Sequence, residues 1–248
     1  MTASSPEAPL LRIDAVTKNF GGFVALDNIN VEIRKGERFG LIGPNGSGKT
    51  TLVNCISGAL RPNKGAVLFG GEDITLLAAN QRSHSGIARS FQIPRPFRSM
   101  TVLENLMVAL DFAARRELLE TETHRRDAAM SILTRIGLAS KALVATTTLT
   151  QVELRKMELA RAMATGPKLL ISDEAMAGLS ASEVDEVLDL LMSLGGEDVA
   201  VIMIEHIMQA VMRFSERVMC LDAGRIIAIG TPAEVMANAR VQEAYLGS

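Results

Sequence analysis

Apolar and polar positions first alternate in short blocks. Residues 11–16 (LRIDAV) and 30–34 (NVEIR) alternate with a period of two and predict half-buried strands. Residues 38–43 (RFGLIG) form an apolar run that ends in glycine, which predicts a buried strand, with a helix following over 50–60. Residues 66–74 (AVLFGGEDI) predict a strand entering a Gly-Gly turn, and 86–92 (GIARSFQ) a further strand. From Thr101 to about Met163 the pattern is helical. Two Ser/Thr-x-x-Glu capping boxes, Thr101 with Glu104 and Thr150 with Glu153, mark helix starts there. The charged stretch 115–130 reads most simply as a solvated helix face. Strand–helix alternation then resumes. It gives a strand at 168–172, a helix from Ser180 and Glu183 to about Leu194, a buried strand at 199–204 and a helix at 207–214. A hairpin turns at Asp222-Ala223-Gly224, and a last helix opens at Thr231 with Pro232 in its first position. The chain is therefore expected to be an α/β core, 1–92 with 166–248, interrupted by a helical subdomain over 93–165.

Composition narrows the function classes. Of 248 residues, 48% are hydrophobic and 22% charged, which suits a packed globular chain and argues against disorder. The net charge of −2 leaves no basic footprint for nucleic acid, and with one Tyr and no Trp few rings could stack on bases. Cys55 and Cys220 both sit among apolar neighbours and read as buried free thiols, not as a disulfide framework or a zinc site. The densest apolar run, VAVIMI, is far short of the roughly 18 residues of a membrane span. The start MTASSPEAPL lacks the pattern of a secretory signal, so the chain is expected to stay in the cytosol.

The chemistry begins at GPNGSGKT, Gly43 to Thr50, which fits the phosphate-binding loop pattern between a buried strand and a helix. Gly43, Pro44, Asn45, Gly46, Ser47, Gly48, Lys49, Thr50 and Thr51 are the candidate nucleotide-binding residues. Glycines let backbone N–H groups converge on phosphates at a helix N-terminus. Lys49 is expected to reach the β- and γ-phosphates, and Thr50 to place a hydroxyl on Mg²⁺. In KLLISDE, Asp173 and Glu174 stand where a buried strand ends, the end that faces the ligand crevice of an open α/β sheet. Asp173 is the candidate Mg²⁺ residue. Glu174 is the candidate that polarises the attacking water. His206, two residues past another buried strand, is the candidate sensor of the γ-phosphate. His84 and His124 lack such a context and read as surface residues.

These motifs, in this order, resemble the nucleotide-binding subunit of ABC transporters. The set comprises Phe20, Walker A at 43–50, Gln92, a signature-like segment at 149–153, Walker B at 169–174, a D-loop near 178–181 and His206. The resemblance implies an ABC ATPase fold: a RecA-like core, an N-terminal antiparallel β part and an inserted helical subdomain. It implies ATP and Mg²⁺ as cofactors, with Phe20 stacking on adenine. Gln92 would link Mg²⁺ and the water to the transporter-facing loop 92–100. The implied partners are transmembrane permease subunits, a second ABC ATPase subunit and, indirectly, a periplasmic binding protein. The implied location is peripheral, on the cytoplasmic face of the inner membrane. FGGFVALDNIN, GIARSFQIPRPF, MTVLENLMVAL and AYLG resemble the ATPases of branched-chain amino acid importers more narrowly. Urea and lipopolysaccharide transporters remain alternatives, as does a soluble ABC ATPase of DNA repair or translation.

The sequence also departs from the family pattern. Leu149-Thr150-Gln151-Val152-Glu153 stands where the family has Leu-Ser-Gly-Gly-Gln, Ala175 where it has Pro, and Ser180 where it has Asp or Asn. If Val152 had to adopt a left-handed angle, the misfit would cost on the order of 1–2 kcal/mol. Glu153 would add a negative charge near the partner's phosphate. A heterodimer with one strong and one weak site is the expectation, with a homodimer as the alternative.

Overall fold

The structure is a computed structural model that describes residues 8–90, 94–112, 121–194 and 199–246. They fall into two compact units, one drawn from 1–82 and 195–248, the other from 83–194. The chain opens with β1 (Leu11–Phe20), β2 (Phe23–Ile33), β3 (Arg38–Ile42), α1 (Lys49–Ser57), β4 (Lys64–Phe69), β5 (Glu72–Asp73) and α2 (Ala79–Ser85). The second unit holds β6 (Ile87–Arg89), α3 (Val102–Asp111), α4 (Glu122–Arg135), α5 (Gln151–Ala164), β7 (Leu169–Asp173) and α6 (Ala181–Leu194). The first unit is completed by β8 (Ala200–Ile204), α7 (Met208–Phe214), β9 (Arg217–Asp222), β10 (Arg225–Gly230), α8 (Pro232–Ala237) and α9 (Ala239–Leu246).

In the first unit, an antiparallel sheet runs in the order β2-β1-β4-β5. Leu11 and Ile13 pair with Ile33 and Val31 on one side and with Phe69 and Val67 on the other. These side chains are buried, which is why the alternating pattern is legible at this end. Both strands of the first hairpin are longer than predicted. Phe23 and Val24 pair with β1 yet face outward, 64% and 44% exposed, so no inward alternation marks this part of β2. The remaining strands of the unit are parallel where it matters most. β3 lies between β8 and β9, with Gly40 opposite Met203 and Ile42 opposite Cys220. Burial on both faces explains why these strands read as continuous apolar runs. The predicted hairpin joins β9 to β10 through Ala223 and Gly224, both at positive φ (44° and 76°), as a two-residue turn of the primed type requires.

α1 is held at its far end by a buried guanidinium. Arg82 of α2 is fully buried and donates to the carbonyls of Cys55 and Ile56, in the last turn of α1, at 2.6 and 2.8 Å. It also donates to Leu77 O and Thr75 O at 3.0 and 2.9 Å. These α1 carbonyls have no partner within their own helix, and a cation there also meets the negative end of the helix dipole. α1 stops at Ser57, short of the predicted 60. Gly58 takes φ 82°, and a Cβ there would meet the Arg82 side chain at 2.9 Å.

In the second unit β6 and β7 run parallel, with Arg89 opposite Ile171. The helical stretch has the predicted starts. Thr101–Glu104 opens α3 and Thr150–Glu153 opens α5, each a closed capping box. Ser180 and Glu183 open α6, the Ser180 N–H donating to the Glu183 carboxylate at 2.8 Å. Part of the charged stretch 115–130 lies outside the described residues. Its described remainder enters α4, whose Arg125 faces Asp111 at 3.2 Å.

Arg82→Met strands four main-chain carbonyls that water cannot easily reach. It is expected to cost on the order of 2–4 kcal/mol and to lower the thermal midpoint, with Arg82→Lys recovering only part, because one ammonium cannot span four acceptors. Thermal unfolding of the three proteins, followed by circular dichroism, checks this; an unchanged midpoint in Arg82→Met would refute it.

Candidate functional site

The phosphate-loop sequence leaves the C-terminal end of β3 and enters α1, as the pattern predicts. Its first residue has to be glycine. Gly43 has φ 146°, and a Cβ there would lie 2.1 Å from Leu221 O and 2.7 Å from Ser47 Oγ. Gly48, at the helix start, has φ 108°, and a Cβ would lie 2.7 Å from Ala25 O. The loop is tied to its surroundings through Ser47, whose carbonyl accepts from Gly224 N at 2.9 Å. Lys49 is buried, and its Nζ donates to Gly43 O at 2.6 Å and Pro44 O at 3.0 Å. Asn45, Gly46 and Thr50 are exposed, and Thr51 is half-buried. Ser47 Oγ is buried without a hydrogen-bond partner. A glycine-shaped concavity at a helix N-terminus, with a folded-in ammonium and a hydroxyl lacking a partner, fits phosphate oxygens.

Two other candidates belong to the same unit. Phe20 ends β1 and is 48% exposed, with Lys18 Nζ 5.2 Å from its ring centroid. It is therefore not a core residue, and its ring is accessible. His206 follows β8 and is exposed. His84 and His124 are exposed as well, as expected of surface residues.

The acidic pair belongs to the second unit. β7 is buried throughout and delivers Asp173 at its last position. The Asp173 carboxylate accepts from Arg89 Nη2 at 2.6 Å, an ion pair that sequence reading missed. Its signal was an arginine at the end of the apolar strand GIAR. Glu174 is half-buried with φ 47°, one of four non-glycine residues at positive φ among the described residues. A non-glycine side chain held in this region marks a backbone that its surroundings over-determine. Ala175 and Met176 are buried beneath it. Among the described residues no three His, Cys, Asp or Glu side chains gather into a metal cluster. Gln92 lies outside the described residues.

The altered signature corrects one expectation. Val152 lies in the first turn of α5 and is not among the residues at positive φ, so it carries no left-handed strain. Glu153 is not loose charge either. Its carboxylate accepts from Thr150 N at 2.9 Å and pairs with Lys141 Nζ at 2.5 Å. The Lys141 contact, helped by Thr150, holds its pKa below the ordinary carboxylate value against the opposing effect of burial. The helix start is thus a well-formed cap, and what remains unusual at 152 is only the bulk of a β-branched side chain. Gly178, in the D-loop segment, lies beside it: a Cβ there would be 3.1 Å from Gln151 Nε2.

A buried thiol and a partly exposed phenol stand behind the phosphate loop. Burial, together with the charge of Asp222 and against that of Lys49, pushes the Cys220 thiol up to about 11 from an ordinary 9.0. Burial likewise pushes Tyr245 up to about 12, although the N–H it accepts from Gly43 acts the other way. Both cysteines are buried and free, as expected.

A family profile described as "ABC transporter" matches residues 26–177, and one described as "Branched-chain amino acid ATP-binding cassette transporter" matches residues 225–248. The high-affinity branched-chain amino acid transport ATP-binding protein LivG of Escherichia coli is 38% identical over 96% of this chain and 98% of its own length. BraF of Pseudomonas aeruginosa, described in the same words, is 35% identical with the same coverage. Among solved structures, the ADP conformation of an ATP-binding cassette of an ABC transporter superposes with a TM-score of 0.88 at 30% identity, covering 97% of this chain and all of that one. A dimeric cassette bound to ADP and Pi superposes at 0.79, with 26% identity over 90% of this chain and 98% of that one.

Cys220 and Tyr245 hold their protons more tightly in the folded chain than in the unfolded one. Their contribution to stability is full below about pH 9 and is lost as pH rises through about 11 and 12. Urea midpoints at pH 8 and pH 10.5 should show this alkaline loss, and Cys220→Ala should make the difference smaller. An equal drop in both proteins would place its source elsewhere.

Proposed function

The chain belongs to the ABC transporter family as one of its ATP-hydrolysing subunits, and we propose that it powers the uptake of branched-chain amino acids through a membrane importer. The observation that carries the substrate class is the reach of the likeness: it spans 96% of the chain in LivG and includes the branched-chain profile at 225–248. Among the described residues no helix is long and apolar enough to cross a membrane, so the pathway for substrate belongs to permease subunits. A peripheral position on the cytoplasmic face of the inner membrane, with a periplasmic binding protein delivering substrate, completes this reading.

In this reading, residues 43–51 bind the triphosphate through backbone N–H groups, with Lys49 the cation nearest the loop. Phe20 offers an exposed ring to the adenine. Thr50, Asp173 and Gln92 would hold Mg²⁺, which supplies charge neutralisation on the transferring phosphoryl group. Glu174 accepts a hydrogen bond from the attacking water and orients it, and His206 contacts the γ-phosphate. Residues 93–165 form the helical subdomain that carries the signature. The loop 92–100 faces the permease.

A second ABC ATPase subunit completes each site by presenting its own signature, and the dimeric cassette among the related structures supports this pairing. The partner is a different chain with an intact glycine signature, because Val152 adds bulk where the family keeps glycine. No backbone strain adds to that bulk, so the two sites should differ modestly.

Two measurements test this. In the assembled transporter, Glu174→Gln should leave ATP binding intact while turnover falls by at least about a hundredfold, the worth of a water-orienting base; undiminished turnover would move that role to another residue. Substituting the Walker A lysine of each cassette in turn should cost more turnover in this chain than in its partner, by about fivefold. Equal losses, with no gain from Val152→Gly, would mean that the altered signature is neutral.

A further inference from the structure

The chain contains one tyrosine, and its hydroxyl sits on the nucleotide loop. Tyr245 Oη accepts the Gly43 N–H at 2.7 Å, across 202 positions of sequence. Gly43 is the residue at which the parallel ladder of β3 with β9 has just ended, at Ile42 opposite Cys220. Its N–H therefore has no strand partner to take it. The same residue is fixed on its other sides. Its carbonyl accepts from Lys49 Nζ at 2.6 Å, and the place where a Cβ would be is filled by Leu221 O and Ser47 Oγ. The Lys49 ammonium is thus seated on the carbonyls of residues 43 and 44. The orientation of those peptide planes sets where its charge lies.

We propose that Tyr245 is a positioning residue for ATP binding: its hydroxyl, carried by the C-terminal helix α9, fixes the Gly43 peptide and through it the carbonyl seat of Lys49. The proposal rests on the reading of residues 43–51 as the nucleotide loop. It gives a task to the end of the segment 225–248, which a branched-chain profile matches. It needs no contact between Tyr245 and nucleotide. The phenol suits the task because it is an uncharged acceptor: its raised pKa, near 12, keeps it protonated across the physiological range. Its ring brings rigidity that a flexible amide or hydroxyl side chain would lack.

The composition supplies its own probe. With one Tyr and no Trp in the chain, tyrosine emission comes from Tyr245 alone. ADP is titrated into the full-length chain twice, once by calorimetry and once following this emission. The two titrations should give the same midpoint, because the loop moves against the phenol when the phosphates enter. Tyr245→Phe should bind ADP about fivefold to tenfold more weakly, the loss that one net hydrogen bond carries. In the assembled transporter it should raise the KM for ATP by a similar factor and leave kcat unchanged. A residue that merely packs α9 would produce neither the nucleotide-dependent emission nor the split between KM and kcat. Emission that stays constant through a calorimetrically proven binding event, or equal ADP affinity in Tyr245→Phe, overturns the proposal. The emission titration needs no substitution, so this holds even if Tyr245→Phe folds poorly. Absence of ADP binding in the unaltered chain would overturn the reading of the nucleotide loop itself, and the proposal with it.

Discussion

The burial of β3 between two parallel neighbours governs the nucleotide loop. Because Gly40 lies opposite Met203 and Ile42 opposite Cys220, the strand can neither slip nor splay, and the chain must leave it at one fixed point and angle. That point is Gly43, pressed so closely on Leu221 O that no side chain fits. The loop, the seat of Lys49 and the start of α1 follow from it in sequence. α1 is then pinned at its far end by Arg82, whose guanidinium takes up carbonyls the helix cannot satisfy itself. A helix anchored at both ends keeps its N-terminal dipole pointed at one place, which is what an anion site needs.

The second unit meets a different electrostatic problem. It must accommodate a carboxylate at the end of a buried strand. Asp173 is held by Arg89 on the neighbouring parallel strand, so the negative charge is paired within its own unit. Glu174 next to it sits at a φ that few side chains adopt. The chain then turns inward at once, with Ala175 and Met176 buried.

Much of this was legible in the sequence, for identifiable reasons. Capping boxes such as Thr150–Glu153 are local, and local hydrogen bonding needs no knowledge of the fold. β8 is apolar throughout, and β7 is apolar as far as Ile171, because both strands are buried, and such runs are easily seen. β2 was only half legible because Phe23 and Val24 point outward, and α2 went unseen because only Arg82 along it is buried. Arg82, Arg89 and Tyr245 act on partners distant in sequence, where no periodicity records them. The strain expected at Val152 failed for a related reason. The family pattern gives the residue type at a position but not its dihedral angle, and here the angle is helical.

The bond between Gly43 and Tyr245 also has a consequence in time. β3 needs β9 beside it, and Gly43 needs a hydroxyl 202 positions further along the sequence, so the loop sequence waits for its surroundings until those later segments have been made. Until α9 has cleared the ribosome, a nascent chain holds the letters of a phosphate-binding loop without its shape. Nucleotide capture is thereby deferred until α9 has been made, and a product terminated before Tyr245 lacks the piece that sets the loop.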